Sequence, residues 1–480
     1  MHLLKNFKIP HVFIFISGII LLCSILTYII PSGSYERETK MKGSVKQTVV
    51  VPGSYKEIPK NFSVKGLFLG DKKEGFSTPV SILGVFTAIP KGLNQAASLI
   101  FFVFIIGAVV NIIKRTGTID VFISLLLKKF KNSPILLTSL LYYVFAFAST
   151  FLGMGAEFIP LIPVLIIISK QLGYDRVFGV AVLILGMSIG WATAITNPFN
   201  VQIAQSIAEL PLGSGIGLRI ITFVLFTAVG LMFLLNYGKK VKANPAKSLM
   251  PNDSVEGDEE TFRHDIQIMT KHIWIAVIAL FLFGAILFAV QTMGWGLIEM
   301  TGGFFTVGVI TILLGKMSGD ESMRAFIEGL EVMIVPALIV GFARGVQVVM
   351  VEGEILDTIL FQTATLLSNF HQVMAIEGIF VFQSVFNFFI PSASGQAFVT
   401  MPLIVPLSDL VDISRQTSVL AFVFGDGISN SIIPTSGVLM ASIGIAKVPY
   451  EKWFRFMLPL FLILSVLGGI ILAVAHFINY

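Results

Sequence analysis

Glycine, proline and polar residues interrupt two long apolar stretches of this chain, one in each half. The interruptions are residues 190–200, inside the stretch 177–205, and residues 427–437, inside the stretch 417–445. In a lipid bilayer a backbone group without a hydrogen-bond partner is costly, so such breaks are tolerated only where they face protein or a water-filled cavity. Matched breaks in two halves of a chain indicate a transporter's binding site. We therefore predict that the two broken helices meet around a small-molecule substrate.

Two further apolar regions, 134–169 and 374–408, have a polar, glycine-rich middle. The middles are 153–157 (Gly-Met-Gly-Ala-Glu) and 391–396 (Pro-Ser-Ala-Ser-Gly-Gln). Each arm is about 15 residues long, which is short of the ~20 residues that a membrane span requires. We interpret both regions as re-entrant helical hairpins that enter and leave the membrane on the same side. Two ordinary spans joined by a loop are the alternative at each place.

The polar groups of the breaks and hairpin tips are suited to holding an anion and a cation. Half-helix N-termini present N–H groups to an anion, and unwound carbonyls with Asn, Ser and Thr oxygens coordinate a cation. Helix kinks whose polar groups only bond across helices are the alternative. The predicted substrate-binding residues are Gly155, Glu157, Thr193, Asn197, Asn200, Arg344, Ser392, Ser394, Gln396, Asn430, Ser431, Thr435 and Ser436. The predicted residues for a coupling ion, Na⁺ or H⁺, are Glu157, Thr196, Asn197, Asp426, Ser429 and Asn430.

Three charged residues in apolar surroundings indicate which ions and ligand groups the site can bind. An intramembrane carboxylate is by default a functional hypothesis, so Glu157 and Asp426 can carry a proton, ligate sodium or meet a substrate amine. A guanidinium is suited to a bidentate grip on a carboxylate, which makes Arg344 a candidate ligand for the substrate. Alternatively, each carboxylate pairs with a buried cation, and Arg344 pairs with one of them or extends to the membrane interface.

Composition places these residues in an all-α, multi-pass membrane protein. The 480 residues are 55% hydrophobic and 13% charged, and the mean hydropathy is +0.88. One cysteine excludes an internal disulfide, and neither a zinc pattern nor a nucleotide-binding Gly-x4-Gly-Lys-Ser/Thr motif occurs. We expect no enzyme, no cofactor apart from a coupling ion, and no nucleic-acid partner. About nine spans are predicted, at 12–31, 96–114, 177–205, 216–237, 272–293, 297–315, 333–351, 417–445 and 455–477.

The two halves of the chain are related by a shift of 237 positions. This shift aligns Gly190 with Gly427 and superposes both tips and both breaks. Counting spans puts the ends of the first hairpin inside and those of the second outside, so the repeat is predicted to be inverted. The excess of Lys and Arg in the inner loops predicts a cytoplasmic N-terminus. The predicted units are an N-terminal repeat, 1–237, with an outer loop, 32–78, that forms a small β-hairpin; a cytoplasmic linker, 238–271; and a C-terminal repeat, 272–480.

Five short motifs along the chain match those of a known carrier family. They are Lys8-Ile9-Pro10-His11, Ile30-Pro31-Ser32-Gly33-Ser34-Tyr35, Val51-Pro52-Gly53-Ser54-Tyr55, Gly153-Met154-Gly155-Ala156-Glu157 and Ile195-Thr196-Asn197-Pro198-Phe199-Asn200. Together they resemble the YfcC-like proteins of the DcuC-type C4-dicarboxylate and basic amino acid carrier family, in the ion transporter superfamily. The resemblance implies a homodimer in the bacterial inner membrane and an elevator-type movement of a transport domain against a scaffold. In the divalent-anion symporters of that superfamily, Ser-Asn-Thr motifs lie at the hairpin tips. Here Ser429-Asn430-Ser431 lies on the second broken helix instead.

The names given to family members range from dicarboxylate carriers to arginine/ornithine exchangers, and the charged residues of this chain favour one of these substrates over the other. Like charges repel at close range, so a pocket for a dianion should avoid ionised carboxylates. Glu157 and Asp426 together with Arg344 fit a substrate that has both an amine and a carboxylate. We therefore expect a secondary active transporter of an amino acid, with a basic amino acid as the narrower expectation. The alternative is a sodium- or proton-coupled C4-dicarboxylate carrier in which Glu157 serves coupling; a channel or an enzyme fits the motifs less well.

Overall fold

A computed structural model describes residues 12–42, 45–130, 133–251 and 269–480. As expected, the fold is almost entirely helical. The helices of the first half are α1 (Val12–Ile29), α2 (Val64–Leu69), α3 (Ile82–Gln95), α4 (Ala97–Arg115), α5 (Thr118–Lys129), α6 (Pro134–Leu152), α7 (Ile162–Gln171), α8 (Arg176–Ala192), α9 (Val201–Ile207) and α10 (Ile216–Ala243). Those of the second half are α11 (Thr270–Met293), α12 (Leu297–Gly315), α13 (Gly319–Val332), α14 (Ile334–Glu352), α15 (Leu356–Leu367), α16 (Gln372–Phe386), α17 (Ala393–Leu410), α18 (Arg415–Ser429), α19 (Gly437–Ile445) and α20 (Tyr450–Phe477). Short 3₁₀ helices span Ala156–Leu161 and Pro245–Lys247.

Six helices in the described ranges are long and apolar enough to cross a membrane, namely α4, α6, α10, α12, α14 and α20. Five of them coincide with predicted spans. Helix α6 belongs to the predicted hairpin 134–169, and at 19 residues it is longer than the arm of about 15 that the sequence suggests. It ends only where Gly153 adopts a φ of 69°. The 3₁₀ helix then contains Pro160, and the second arm, α7, has only 10 residues.

Both interrupted stretches form two shorter helices separated by a non-helical segment, as the sequence predicts. The stretch 177–205 contains α8 and α9, with residues 193–200 between them, and 417–445 contains α18 and α19, with 430–436 between them. A capping side chain lies at the start of the second helix of each pair. The Asn200 side chain accepts a hydrogen bond from the Val201 N–H, and the Ser436 hydroxyl accepts one from the Leu439 N–H at 3.4 Å. Such caps satisfy the N–H groups that a helix start leaves unpaired.

The two broken helices cross each other where α8 ends. Helix α8 packs on α18, and a Cβ atom on Gly427 would lie 2.2 Å from both the Cα and N atoms of Ala192. The aligned Gly190 allows a similar approach to the first hairpin, because its Cβ would lie 2.5 Å from the Ala146 carbonyl oxygen of α6. Small residues let helix backbones approach closely in membranes. These two glycines therefore fix where the breaks lie relative to each other and to the first tip.

The segment between α1 and α2 forms two small antiparallel sheets on the α14–α15 connection. Strand β2 (Arg37–Lys42) pairs with β3 (Val45–Val50), which confirms the predicted β-hairpin, and β1 (Ser32–Ser34) pairs with β4 (Lys56–Ile58). The buried Asp357 carboxylate accepts the Tyr35 N–H at 2.9 Å and Arg37 Nη2 at 2.8 Å. Burial and the nearby Asp357 both raise the pKa of the Tyr35 hydroxyl. These contacts fix the strands to the start of α15.

We expect Gly427→Ala to lower the melting temperature of the detergent-purified protein. The added methyl group would overlap the α8 backbone, and overpacking of this kind costs about 1–3 kcal/mol. The matched control is Gly284→Ala on α11, where a Cβ meets nothing within 4 Å. Thermal unfolding should separate the two variants, and equal melting temperatures would contradict the proposed tight crossing.

Candidate functional site

A cavity of about 500 Å³ lies where the two hairpin tips meet the second break and α14. Its volume falls in the range typical of small-molecule sites. More than half of the predicted substrate-binding residues line it: Gly155, Glu157, Arg344, Ser392, Ser394, Asn430, Thr435 and Ser436. Its wall is also apolar and aromatic in part, through residues such as Leu99, Met187, Trp191, Phe199 and Val340. The structure thus brings tip and break residues from both halves of the chain to one site.

The predicted residues of the first break lie behind this wall rather than in it. Thr193, Asn197 and Asn200 are buried and do not line the cavity. The Asn197 side chain accepts the Phe199 N–H at 2.8 Å and donates to the Ser149 carbonyl at 3.2 Å. These bonds tie the unwound segment to the end of α6. In this conformation they position the first break and the first tip relative to each other.

Two predicted residues of the second half are likewise buried outside the cavity lining. The Gln396 side chain donates to the carbonyl and the side-chain oxygen of Gln383, at 2.8 and 2.7 Å, which joins the two arms of the second hairpin. The Ser431 hydroxyl donates to the Ile428 carbonyl at 2.6 Å, and the Ser431 carbonyl accepts Trp453 Nε1 at 2.9 Å. Gln396 therefore stabilises the second hairpin and Ser431 the second break, both through hydrogen bonds outside the cavity.

Asp426 is the centre of a buried polar network that joins the two breaks. Its carboxylate accepts Asn430 Nδ2 at 2.8 Å and Asn200 Nδ2 at 3.4 Å. Asn387, at the end of α16, donates to the Asp426 carbonyl at 3.0 Å and to the Ser429 hydroxyl at 2.7 Å. Three predicted coupling residues, Asp426, Ser429 and Asn430, are therefore contiguous. Since Asn430 also lines the cavity, the network adjoins the candidate substrate site.

The other predicted coupling residues lie near the first tip. The half-buried Thr196 donates from its hydroxyl to the Phe151 carbonyl at 3.1 Å, so it joins neither the Asp426 network nor the cavity wall. Glu157 is in the cavity wall, where its Oε2 atom accepts the Gly155 N–H at 2.5 Å. Trp191 Nε1 donates to the Met154 carbonyl at 2.9 Å and holds the tip in place.

Glu157 and Arg344 give the cavity wall one carboxylate and one guanidinium. Arg344 Nη1 donates to Gln347 Oε1 at 2.5 Å, within the same helix. In the part of the chain that the structure describes, Arg344 forms no ion pair with Glu157 or with Asp426. Pairing of these charges, which the sequence left open, is therefore not seen in this conformation, and both side chains are placed to contact a ligand.

Helix N-termini and unpaired hydroxyls make the second-half side of the cavity a site for an anion. Helices α17 and α19 begin in the cavity wall, at Ala393 and Gly437. The hydroxyls of Ser392 and Ser436 cap the third N–H of each helix, and the first two N–H groups of each have no intrahelical partner. Thr435 Oγ1 is buried there, and it has no hydrogen-bond partner among the described residues. On the first-half side of the wall, Ser188 Oγ of α8 also has no hydrogen-bond partner among the described residues. A carboxylate would satisfy such donors.

Several lining residues carry no signal that sequence reasoning could use. Gln95 and Ser98 come from the α3–α4 junction, and Leu297 comes from the start of α12. Gln95 and Ser98 reach the cavity because α3 crosses α14, where a Cβ on Gly92 would lie 2.4 Å from the Gly341 carbonyl oxygen, whereas Leu297 reaches it because α12 packs on α4. Sequence reasoning also missed Arg219, which is 1% exposed and donates to the Ala194 carbonyl of the first break at 3.3 Å.

Comparison with known proteins identifies the family. The model of the DcuC family, described as "C4-dicarboxylate anaerobic carrier", matches residues 9–477. The chain belongs to the DcuC family. A protein of Escherichia coli (strain K12) named "Putative basic amino acid antiporter YfcC" is 32% identical over 500 residues, which cover 99% of this chain and 98% of that protein. An "Uncharacterized protein" of Haemophilus influenzae is 28% identical over 98% of this chain and 97% of its own length. The YfcC-like resemblance is thereby confirmed, and the chain is a member of a membrane transporter family.

Two solved transporter structures are more distantly similar. The YdaH transporter of Alcanivorax borkumensis gives a TM-score of 0.43 at 15% identity, over 98% of this chain and 99% of that one. MtrF of Neisseria gonorrhoeae gives a TM-score of 0.40 at 18% identity, and the match covers 99% of this chain and 97% of MtrF. These similarities are too low to transfer site residues to the DcuC-family chain.

We expect Asn197→Ala to lower thermal stability while leaving the substrate concentration for half-maximal transport within about twofold of the wild-type value. Each buried group left without its hydrogen-bond partner costs about 1–3 kcal/mol, but Asn197 does not line the cavity. Purified variants should be compared by thermal unfolding and by transport in liposomes. Asn430→Ala serves as the contrasting variant, because Asn430 does line the cavity. A large loss of affinity in Asn197→Ala without loss of stability would contradict this division.

Proposed function

We propose that the protein is a secondary active transporter of an amino acid in the bacterial inner membrane, working by exchange. The narrower proposal is a basic amino acid of the arginine or ornithine type. One observation carries it: Glu157, Arg344 and the N-termini of α17 and α19 line the same cavity. This wall complements a ligand that bears both an amine and a carboxylate.

The charges of the wall favour an amino acid over a dianion. Two unit charges about 4 Å apart interact by about 4 kcal/mol at the effective dielectric near a protein surface. A carboxylate of the ligand is attracted by Arg344 and by the two helix N-termini, whereas Glu157 repels it and attracts an amine. The name of the E. coli relative, "Putative basic amino acid antiporter YfcC", is in line with this choice.

The alternative is a sodium- or proton-coupled C4-dicarboxylate carrier, and the family description favours it. Arg344 and the helix N-termini would then bind the two carboxylates, and Glu157 would be the coupling group. Under either proposal, the contiguous Asp426, Ser429 and Asn430 form the second candidate site for Na⁺ or H⁺.

We also propose that the fold consists of two repeats. Helices α3 and α4 correspond to α13 and α14 under a shift of 237 residues, with both ends of each helix in register. The close crossings correspond as well. Gly92 of α3 meets Gly341 and Gly345 of α14, and the equivalent Gly329 of α13 meets the α4 backbone at Gly107 and Ala108. A pseudo-twofold relation between the halves accounts for these paired contacts. Helices α11 and α12 have no counterpart among the described residues of the first half and are candidates for a homodimer interface.

Contacts between distant loops favour an inverted orientation of the two repeats. The end of α10 and the segment after it contact the start of α8, through Tyr237 and Ser248, whose hydroxyls donate to the Asp175 carboxylate. On another face, Arg415 binds Asp409 and Glu209, next to the outer end of the second hairpin. If the N-terminus is cytoplasmic, the first set is inside and the second outside, with the hairpins opening to opposite sides.

An elevator-type mechanism is consistent with the composition of the cavity wall. One part of the wall comes from α3, α4, α12 and α14, which pack mainly on one another. The other part comes from the hairpins and broken helices. We propose that the second group carries the substrate and moves against the first.

Liposomes containing the purified protein and unlabelled ornithine are expected to accumulate labelled arginine by counterflow. Exchange requires a substrate on both sides, so empty liposomes should accumulate little. Labelled succinate, tested with imposed sodium and proton gradients, serves as the comparison. Gradient-driven succinate uptake without amino-acid counterflow would overturn the amino-acid proposal in favour of the dicarboxylate carrier.

Arg344→Ala is expected to weaken substrate affinity roughly tenfold or more, because hydrogen bonds to charged groups contribute about 1.5–3 kcal/mol. Arg344→Lys should recover part of this loss, since lysine keeps the charge but lacks the planar fork. The control is Arg324→Ala on the exposed face of α13. Unchanged affinity in Arg344→Ala would refute the proposed contact between the Arg344 guanidinium and the substrate carboxylate.

A further inference from the structure

Glu157 and Ser394 occupy equivalent positions at the two hairpin tips. The shift of 237 residues that aligns the halves of the chain superposes these two positions. Both residues line the same cavity, so the two tips approach one ligand site. The equivalence makes their difference informative, because one tip carries a carboxylate and the other a hydroxyl.

At the first tip, the protein's own carboxylate occupies a backbone donor. Glu157 Oε2 accepts the Gly155 N–H at 2.5 Å. At the second tip, the equivalent N–H of Ser392 donates to the Ile390 carbonyl at 2.7 Å, and the Ser392 hydroxyl accepts the Gly395 N–H at 3.4 Å. The N–H groups of Ala393 and Ser394, at the start of α17, have no partner among the described residues, and no acidic side chain of those residues lines that part of the cavity. The hydroxyl of Thr435, 4% exposed and in the wall, has no partner within the described residues. The first tip therefore carries its own carboxylate, whereas the second tip presents two unpartnered N–H groups to a ligand.

We propose that Glu157 is a tethered carboxylate that takes the place of a substrate's second carboxylate. The cavity then accepts one carboxylate from the ligand, at the N-termini of α17 and α19, and presents Glu157 to the ligand's amine. Glu157 is thus the residue that selects amino acids over dicarboxylates in this site. The inference rests on the proposed function and adds to it the orientation of the substrate and the residue that determines its class.

The test compares Glu157→Ser with Glu157→Gln in liposomes, using labelled ornithine and labelled succinate as probes. Glu157→Ser gives the first tip the residue type of the second and leaves room for a ligand carboxylate. It should weaken ornithine transport roughly tenfold or more and create succinate transport. Glu157→Gln removes the charge but keeps the side-chain volume, so this variant should lose ornithine transport without gaining succinate transport.

A competition assay on the wild-type protein tests the inference independently of the folding of any variant. Succinate and 4-aminobutyrate both have four carbons, and they differ in having a second carboxylate or an amine at the far end. We expect 4-aminobutyrate to inhibit ornithine counterflow at least several-fold better than succinate. Equal inhibition, or a Glu157→Ser variant that is folded by size-exclusion chromatography and still excludes succinate, would overturn the tethered-carboxylate role. A wild-type protein that carries succinate and no amino acid would instead refute the proposed function itself.

Discussion

The close crossing of α8 and α18 is the constraint on which the candidate site depends. At Gly427 the two backbones approach so closely that no side chain fits between them. This approach brings Asn200 within reach of the Asp426 carboxylate, across the two halves of the chain. It also sets the first tip beside the second break, because Trp191, at the crossing, donates to the Met154 carbonyl. A bilayer offers no water to groups at such breaks, so each unwound segment depends on its neighbours for hydrogen bonds.

The polar residues of the site divide into a ligand-facing set and a supporting set. Residues at the starts of α17 and α19 face the cavity, because a helix start presents unpaired N–H groups toward it. Residues such as Asn197 and Gln396 instead hold one unwound or re-entrant segment against another. The supporting set fixes the geometry of the ligand-facing set, and a site with rigid supports needs less reorganisation on binding.

Much of the fold follows from the sequence, because a bilayer restricts the chain to helices and leaves clear signals where helices break. The breaks at 193–200 and 430–436 were predictable from glycine, proline and polar residues in apolar runs, and the hairpin of β2 and β3 was predictable as well. The length of α6 was not, since Phe151 and Leu152 extend the helix to Gly153 rather than ending it earlier. Nor could the cavity contacts of Gln95 and Leu297 be foreseen. They arise from helix crossings between residues distant in sequence, for which a single chain gives no pairing information.

Arg344 belongs to α14, whereas Glu157 and Ser394 belong to the tips and Thr435 to the second break. If those groups shift past α14 during transport, as proposed, the guanidinium is part of the site in only one of the two end states. The site would then hold its ligand more tightly on one face of the membrane than on the other. Such an exchanger would saturate at different concentrations on its two sides. The division of one binding site between two helix groups would thus make the two faces of the transporter kinetically unequal, while the substrate gradients alone set the direction of net flow.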